Sequence, residues 1–224
     1  MHFSFKSRLS GLFRELVVGY SRELLFWILL LPALSALGSI SPRRQIVGVV
    51  ETMAFLFVAI SSRGKLKNLG LQFEHWNPLA PHTAAVCVVV GAVTGGAVVV
   101  VAQLSRQSLG VEVGWNRALL VIVLGPVVEE VIFRGYLMTA ALLLTRRLSS
   151  RNAAACSVLG VAVPFSIAHL TTAGISFIQL CCIAATGCVY GLLRLQHRST
   201  MASTLAHAAY NLALYACYWC GWAS

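Results

Sequence analysis

Long apolar runs dominate this sequence and limit the folds that it can adopt. The chain has 224 residues, of which 58% are hydrophobic and only 11% are charged, and its mean hydropathy is +0.80. A soluble domain of this length would need far more charge to cover its surface. A helix that crosses a bilayer needs roughly 20 apolar residues, and several runs approach or reach that length. The sequence therefore predicts a membrane protein.

The apolar runs predict an all-α, polytopic membrane helix bundle. We expect about seven transmembrane helices, within a range of six to eight. The candidate spans are 24–40, 46–60, 82–103, 118–145, 153–170, 174–193 and 201–222.

The segment before the first span has a different pattern. In residues 1–23 the apolar side chains recur at helical spacing, and the basic ones lie elsewhere on the helical wheel. This pattern is typical of an amphipathic helix at the membrane interface. We therefore expect an interfacial helix at 1–23 and a single membrane domain over 24–224.

The net charge of +10 does not point to nucleic acid, because the basic residues are distributed by loop rather than gathered on one helix. With seven spans, one side of the membrane receives the N-terminal tail and the loops SRGKLK, RRLSSR and RLQHR. The other side receives only Arg43, Arg44, Arg106 and Arg117. The positive-inside rule then predicts a multi-pass protein with a cytosolic N-terminus, whose surroundings are the lipid bilayer.

The seven cysteines do not indicate a redox protein. All of them fall within or beside apolar helices, where cysteine is usually a small core residue. Cys217 and Cys220 have the spacing of a redox pair, but the βαβ pattern of such proteins does not accompany them.

Ionisable residues interrupt one apolar run, VIVLGPVVEEVIFRGYLM at 121–138. Each such group costs roughly 2.5–3.5 kcal/mol at the bilayer centre on insertion scales, so its presence calls for a reason. Glu130 and Arg134 are four residues apart and share a helical face, whereas Glu129 points about 100° away. Glu130 is therefore expected to pair with Arg134, which leaves Glu129 available for chemistry.

Two other spans carry polar groups at the same spacing. Phe165 and His169 are four apart in PFSIAHL, and His207 and Asn211 are four apart in HAAYN. Each pair lies on one helical face and can point into a shared cavity. A buried polar network that only holds the bundle together is the structural alternative.

These residue types are suited to hydrolysis. A carboxylate beside a neutral histidine can activate water, because one group takes the proton and the other orients the water. A histidine N–H and an asparagine amide can stabilise the oxyanion of amide hydrolysis.

Other intramembrane hydrolases fit the sequence less well. It lacks HExxH and contains no aspartate, which removes the helix-borne zinc motif and the aspartyl dyad. A serine–histidine arrangement of Ser176 with His207 is possible, but it leaves Glu129, Glu130, Arg134 and His169 unused.

The ordered motifs EEVIFR, FSIAH and HAAYN resemble those of the CAAX prenyl protease and bacteriocin-processing (CPBP, Abi) family of intramembrane endopeptidases. Each motif alone is weak, whereas the ordered set is specific, and the resemblance covers about 115–222. It implies that a peptide bond of a membrane-associated protein or peptide is cleaved in a cavity of the bundle. A compact chain suits a bacterial relative, so we expect the bacterial inner membrane.

The resemblance also implies roles for the motif residues. It implies that Glu129 is the general base, that His169 holds the water, and that His207 and Asn211 are the oxyanion donors. Glu130, Arg134 and Phe165 are supporting residues in this interpretation. We favour a glutamic-type mechanism without a cofactor. The alternative is a Zn²⁺ held by Glu129, His169 and His207, with one position open for water.

A second hypothesis comes from a different functional class. A non-catalytic scaffold or immunity-type protein of the same fold would use the pocket to bind a membrane partner. The complete set of motif residues favours the enzyme.

Overall fold

The computed structural model describes residues 79–109, 118–145, 147–171 and 175–222, and these form helices without any strand. Helix α1 is Pro81–Leu104. Helix α2 is a helical run over 118–145 with four parts, Leu120–Leu124 (π), Gly125–Glu130 (α), Val131–Leu137 (π) and Met138–Thr145 (α). Helix α3 is Ser150–Ala168, continued by a 3₁₀ turn at His169–Thr171. Helices α4 and α5 are Phe177–His197 and Thr200–Trp219.

The five helices lie at the last five predicted spans, and their ends differ from the predicted ends by no more than four residues. The predicted amphipathic helix and the predicted spans 24–40 and 46–60 lie outside the described residues. The all-helical class is confirmed for the part that the structure describes, whereas the total of seven spans stays a prediction.

The outer surface of this bundle is apolar. Val86, Val89, Val93 and Val100 of α1 are each more than half exposed, which a soluble protein would avoid for so long an apolar stripe. Helices α1, α3 and α4 are long and apolar enough to cross a membrane. The protein is therefore an integral membrane protein.

Helix α1 packs closely against α5. A Cβ at Gly91 would lie 2.0 Å from the backbone oxygen of Ala206, and one at Gly95 would lie 2.8 Å from that of Tyr210. Because both contacts advance by four residues, the two helices run parallel. Small residues at such positions let two membrane helices approach closely. Gly96 differs, since a Cβ there would meet nothing within 4 Å.

Helix α2 continues through Pro126, although a proline usually interrupts the helical hydrogen bonds. Pro126 is buried at the start of the α-helical part Gly125–Glu130, directly after the π-helical part Leu120–Leu124. The irregularity that a proline introduces is therefore accommodated by wider turns before it rather than by a break. Wider π turns of this kind are frequent at functional sites.

Helices α3 and α4 pack against each other in opposite directions. A Cβ at Gly187 would lie 3.2 Å from the Phe165 ring, and one at Gly191 would lie 3.4 Å from Val158. Ser166 Oγ also donates to the backbone oxygen of Leu180 at 2.7 Å. These contacts bring the end of α3, where His169 lies, next to the middle of the bundle.

Candidate active site

The two adjacent glutamates lie in α2 between its two π-helical parts. Glu130 is fully buried, whereas the side chain of Glu129 is 35% exposed. Their different exposure separates a fully enclosed carboxylate from one whose side chain is partly accessible.

Glu130 forms the expected ion pair with Arg134. Arg134 Nη1 donates to Glu130 Oε1 at 2.9 Å, and Arg134 Nη2 donates to the backbone oxygen of Gly187 at 2.9 Å. The guanidinium carbon lies 4.2 Å from the centroid of the Phe165 ring. Arg134 thus connects α2 with α3 and α4 while it balances the charge of a buried carboxylate.

His207, in α5, lies between both glutamates. Its Nδ1 is 3.0 Å from Glu130 Oε1, and its Nε2 is 4.0 Å from Glu129 Oε2. Although adjacent helical positions diverge by about 100°, the two carboxylates face opposite nitrogens of one imidazole. Because an ionised carboxylate only accepts hydrogen bonds, Nδ1 carries the hydrogen that binds Glu130.

His169 lies in the 3₁₀ turn after α3 and faces Glu129 from another direction. Its Nδ1 is 2.8 Å from the backbone oxygen of Phe165, and its Nε2 is 3.8 Å from Glu129 Oε2. A carbonyl oxygen can only accept, so Nδ1 is the donor and a neutral ring presents the lone pair of Nε2 to Glu129. The predicted pair of Phe165 and His169 therefore has a physical basis, since Phe165 fixes the histidine tautomer through its carbonyl.

Asn211 lies one helical turn after His207 in α5. Its Nδ2 donates to the backbone oxygen of Val121 at 2.8 Å, within the first π-helical part of α2. This bond holds the amide in a fixed orientation and leaves its second hydrogen available to another acceptor. The structure thus brings Glu129, Glu130, His169 and His207 together directly, and it ties Asn211 to the same helix as the glutamates.

Glu129 Oε2 is one of the buried polar atoms of the site that lack a hydrogen-bond partner among the described residues. The Nε2 atoms of His169 and His207 lie 3.8 and 4.0 Å from it, which is slightly beyond hydrogen-bond distance. A buried acceptor without a hydrogen bond is costly in free energy. This oxygen is therefore suited to accept from a water molecule or from a polar group of a substrate.

The zinc alternative can be tested against the same three groups. Both imidazoles bind through Nδ1 to an acceptor, which is how metal-ligating histidines are usually oriented. However, tetrahedral zinc with ligand distances of roughly 2.0–2.1 Å needs ligand atoms about 3.4 Å apart, and Glu129 Oε2 lies 3.8 and 4.0 Å from the two Nε2 atoms. In the part of the chain that the structure describes, no group of three such residues is compact enough to hold a metal ion.

Ser176 has a structural role instead of a place beside His207. Its hydroxyl accepts from the backbone N–H of Gln179 at 3.2 Å, and the Gln179 side chain binds back to the Ser176 N–H at 2.6 Å. This reciprocal cap begins α4. No hydrogen bond joins Ser176 to His207 among the described residues, so the serine–histidine alternative lacks its central contact.

Two residues of α4 contribute to the site although the sequence pattern does not indicate them. The backbone oxygen of Gly187 accepts from Arg134, and the Tyr190 ring stacks on His207 with centroids 4.9 Å apart and planes 21° from parallel. Neither residue has a charged side chain, so a search for charged groups in apolar helices does not find them. The one available signal is the small-residue spacing Gly187-x-x-Tyr190-Gly191, which lets neighbouring helices approach that face.

Known proteins were compared with the whole chain. The family model described as type II CAAX prenyl endopeptidase Rce1-like matches residues 111–213. No curated protein and no solved structure matches significantly. The matched region contains all three motifs and every residue of the site described above. This match spans the helices that carry the site, and it supports the resemblance of this region to the CAAX prenyl protease (CPBP) family.

Proposed function

We propose that the protein is an intramembrane endopeptidase in which Glu129 activates a water molecule for attack on a peptide bond. The observation that carries this proposal is the convergence of Glu129 Oε2 with the Nε2 atoms of His169 and His207, at 3.8 and 4.0 Å. These side chains come from three different parts of the bundle, α2, the turn after α3, and α5. Packing alone would not require three ionisable groups to meet there.

Glu129 and His169 suit the handling of one water. Glu129 Oε2 and His169 Nε2 are both hydrogen-bond acceptors, so they cannot bind each other directly. A water that donates to both can lie about 2.8 Å from each. Glu129 takes one proton as the water oxygen attacks the carbonyl carbon, and His169 holds the other hydrogen. Glu129 then returns its proton to the leaving amine nitrogen as the C–N bond breaks.

His207 and Asn211 suit the stabilisation of the oxyanion. Asn211 retains one amide hydrogen beyond its bond to Val121. His207 already donates through Nδ1 to Glu130, so its Nε2 can donate only when the ring is doubly protonated. In that state the negative charges of Glu129 and Glu130 balance the positive charges of Arg134 and His207. The neutral cluster costs less free energy to bury. Preorganised donors of this kind contribute greatly to acyl-transfer catalysis.

The substrate class follows from the surroundings of the site. Since the site lies among membrane helices, the substrate is a membrane-associated protein or peptide that reaches it from the bilayer. The matching family is described as a CAAX prenyl endopeptidase, which makes a prenylated CAAX peptide the first probe. The metal-free mechanism remains our choice, and zinc held by Glu129, His169 and His207 is its competitor.

The orientation of the helix bundle in the membrane is also part of this proposal. Arg147, Arg151, Arg194 and Arg198 lie near the ends of α2–α5 that meet one membrane surface, whereas Arg106 follows α1 toward the other. The positive-inside rule assigns the first surface to the cytosol. An N-terminus on that side and a bacterial inner membrane stay predictions.

A direct test uses full-length protein in proteoliposomes. The first probe is a quenched fluorogenic peptide that ends in a farnesylated CAAX sequence, and the second is the same peptide without the lipid. In parallel, new protein N-termini are mapped in cells that make equal amounts of wild type or Glu129→Gln. We expect cleavage products that require Glu129. Identical products from both proteins would contradict the proposal and favour the scaffold alternative.

A further inference from the structure

Tyr190 contacts the candidate site from α4, a helix that carries none of the three sequence motifs. Its side chain is 1% exposed, although tyrosine usually keeps its hydroxyl at a polar partner. The Tyr190 hydroxyl is buried without a hydrogen-bond partner among the described residues. The contacts that Tyr190 makes with the site are those of its ring.

The ring of Tyr190 lies against both groups that bind Glu130 Oε1. It stacks on the imidazole of His207, with centroids 4.9 Å apart and an interplanar angle of 21°. Its centroid is also 5.3 Å from the guanidinium carbon of Arg134. The rings of Phe165 and Tyr210 are steeply inclined to that of His207, at centroid distances of 5.9 and 6.5 Å, so Tyr190 is the ring that stacks on the imidazole among the described residues.

We propose that Tyr190 is a positioning residue that holds the His207 ring in the plane required for peptide-bond cleavage. The hydrogen bond from Nδ1 to Glu130 fixes one edge of the imidazole, but a ring held at one edge can still tilt. The stacked phenol face blocks that tilt and keeps Nε2 directed toward Glu129. An aromatic face also stabilises a cationic imidazole, the form in which Nε2 can donate to an oxyanion.

This inference rests on the proposed function, and it predicts a specific pattern of kinetics. Misplacement of a catalytic group by about 1 Å can cost about 100-fold in rate. Tyr190→Leu should therefore lower kcat about 10- to 100-fold for the farnesylated probe, with KM changed less than about 3-fold. Tyr190→Phe retains the ring and removes an unsatisfied hydroxyl, so it should keep at least about half of the wild-type kcat and the wild-type thermal stability.

Tyr215→Leu is the matched control. Tyr215 is also a buried tyrosine, but it lies eight residues beyond His207 in α5, about 12 Å along the helix axis. It should lose thermal stability to a similar extent as Tyr190→Leu and retain kcat per folded molecule. The proposal would be overturned if Tyr215→Leu lowered kcat equally, if Tyr190→Phe were as impaired as Tyr190→Leu, or if Tyr190→Leu were fully active.

A second measurement does not depend on cleavage. In full-length protein labelled with ¹⁵N-histidine in lipid nanodiscs, the Nδ1–H resonance of His207 is assigned by its loss in His207→Gln. We expect this resonance in wild type and in Tyr190→Phe, and its disappearance through exchange with water in Tyr190→Leu. If wild type cleaves no substrate but this pattern holds, the proposed function fails while the positioning role stands. An unchanged resonance in Tyr190→Leu would overturn the positioning role.

Discussion

At the scale of single residues, the site assigns opposite tasks to two neighbouring glutamates. Glu130 has both a cation and an imidazole on one oxygen, and it is fully buried. Glu129 has a partly exposed side chain and no hydrogen-bond donor among the described residues. A carboxylate that already serves two donors is a poor proton acceptor, whereas an unsatisfied one is suited to take a proton from water.

Arg134 is predicted to serve the fold more than the chemistry. Arg134→Ala would leave Glu130 buried without its counter-charge, and breaking such a buried pair costs roughly 3–5 kcal/mol. We expect much less folded protein and a lower Tm in thermal unfolding followed by size-exclusion chromatography. A variant that is as stable as wild type but inactive would instead make Arg134 a direct participant in catalysis.

The choice between a metal-free and a zinc mechanism also belongs to this scale. The separations of 3.8 and 4.0 Å between Glu129 Oε2 and the two Nε2 atoms exceed the spacing of the ligand atoms around tetrahedral zinc. We therefore expect protein that is freed of zinc by chelation to keep its cleavage rate, with elemental analysis as the measurement. One equivalent of zinc that is lost and regained together with activity would contradict this and make His207 a ligand.

At the scale of helices, close packing of α1 against α5 supports the active-site residues. Gly91 and Gly95 let the α1 backbone approach the turn of α5 that carries His207, with α1 contacting both sides of it at Ala206 and Tyr210. The first π-helical part of α2 also supports the site, because the backbone oxygen of Val121 accepts a hydrogen bond from Asn211. Positions without any polar side chain thus determine where the polar ones meet.

A pair of alanine substitutions in α1 tests this packing. A Cβ at Gly91 would lie 2.0 Å from the backbone oxygen of Ala206, while one at Gly96 would meet nothing within 4 Å. Gly91→Ala should destabilise the fold by about 1–3 kcal/mol and lower cleavage. Gly96→Ala should be neutral or stabilise by about 0.4–1 kcal/mol, because it removes backbone freedom from the unfolded chain. Equal Tm values for both variants would refute the close approach.

Sequence patterns predicted the helices better than the contacts between them. The apolar runs placed the five described helices within four residues of their ends, because the requirement to cross a bilayer acts on each segment alone. The spacing of Glu130 and Arg134 likewise predicted their ion pair, since it depends on one helix. In contrast, the contact of His207 with both glutamates and the stack of Tyr190 on His207 depend on how three helices pack. The continuation of α2 through Pro126 depends on π turns, which residue spacing does not reveal.

At the scale of the whole molecule, the charges predict how the bundle lies in the membrane. In a fully active variant without native cysteines, Leu148→Cys places a thiol at the exposed turn between α2 and α3, and Trp222→Cys places one after α5. A membrane-impermeant maleimide should label the first only in inside-out vesicles and the second only in intact cells. The reverse pattern would place the arginine-rich ends outside and contradict the assigned orientation.

We propose that the bundle as a whole brings one reactive carboxylate to a peptide bond inside the membrane. One measurement tests this claim most directly. The single-turnover rate constant for cleavage of a bound peptide is compared between wild type and Glu129→Gln, at equal folded amounts and with substrate affinity measured separately. Glutamine keeps the shape of the side chain but cannot take a proton. We expect the rate constant to fall about 10²- to 10⁴-fold with Tm and affinity unchanged, and a glutamine variant that cleaves at the wild-type rate would contradict the account.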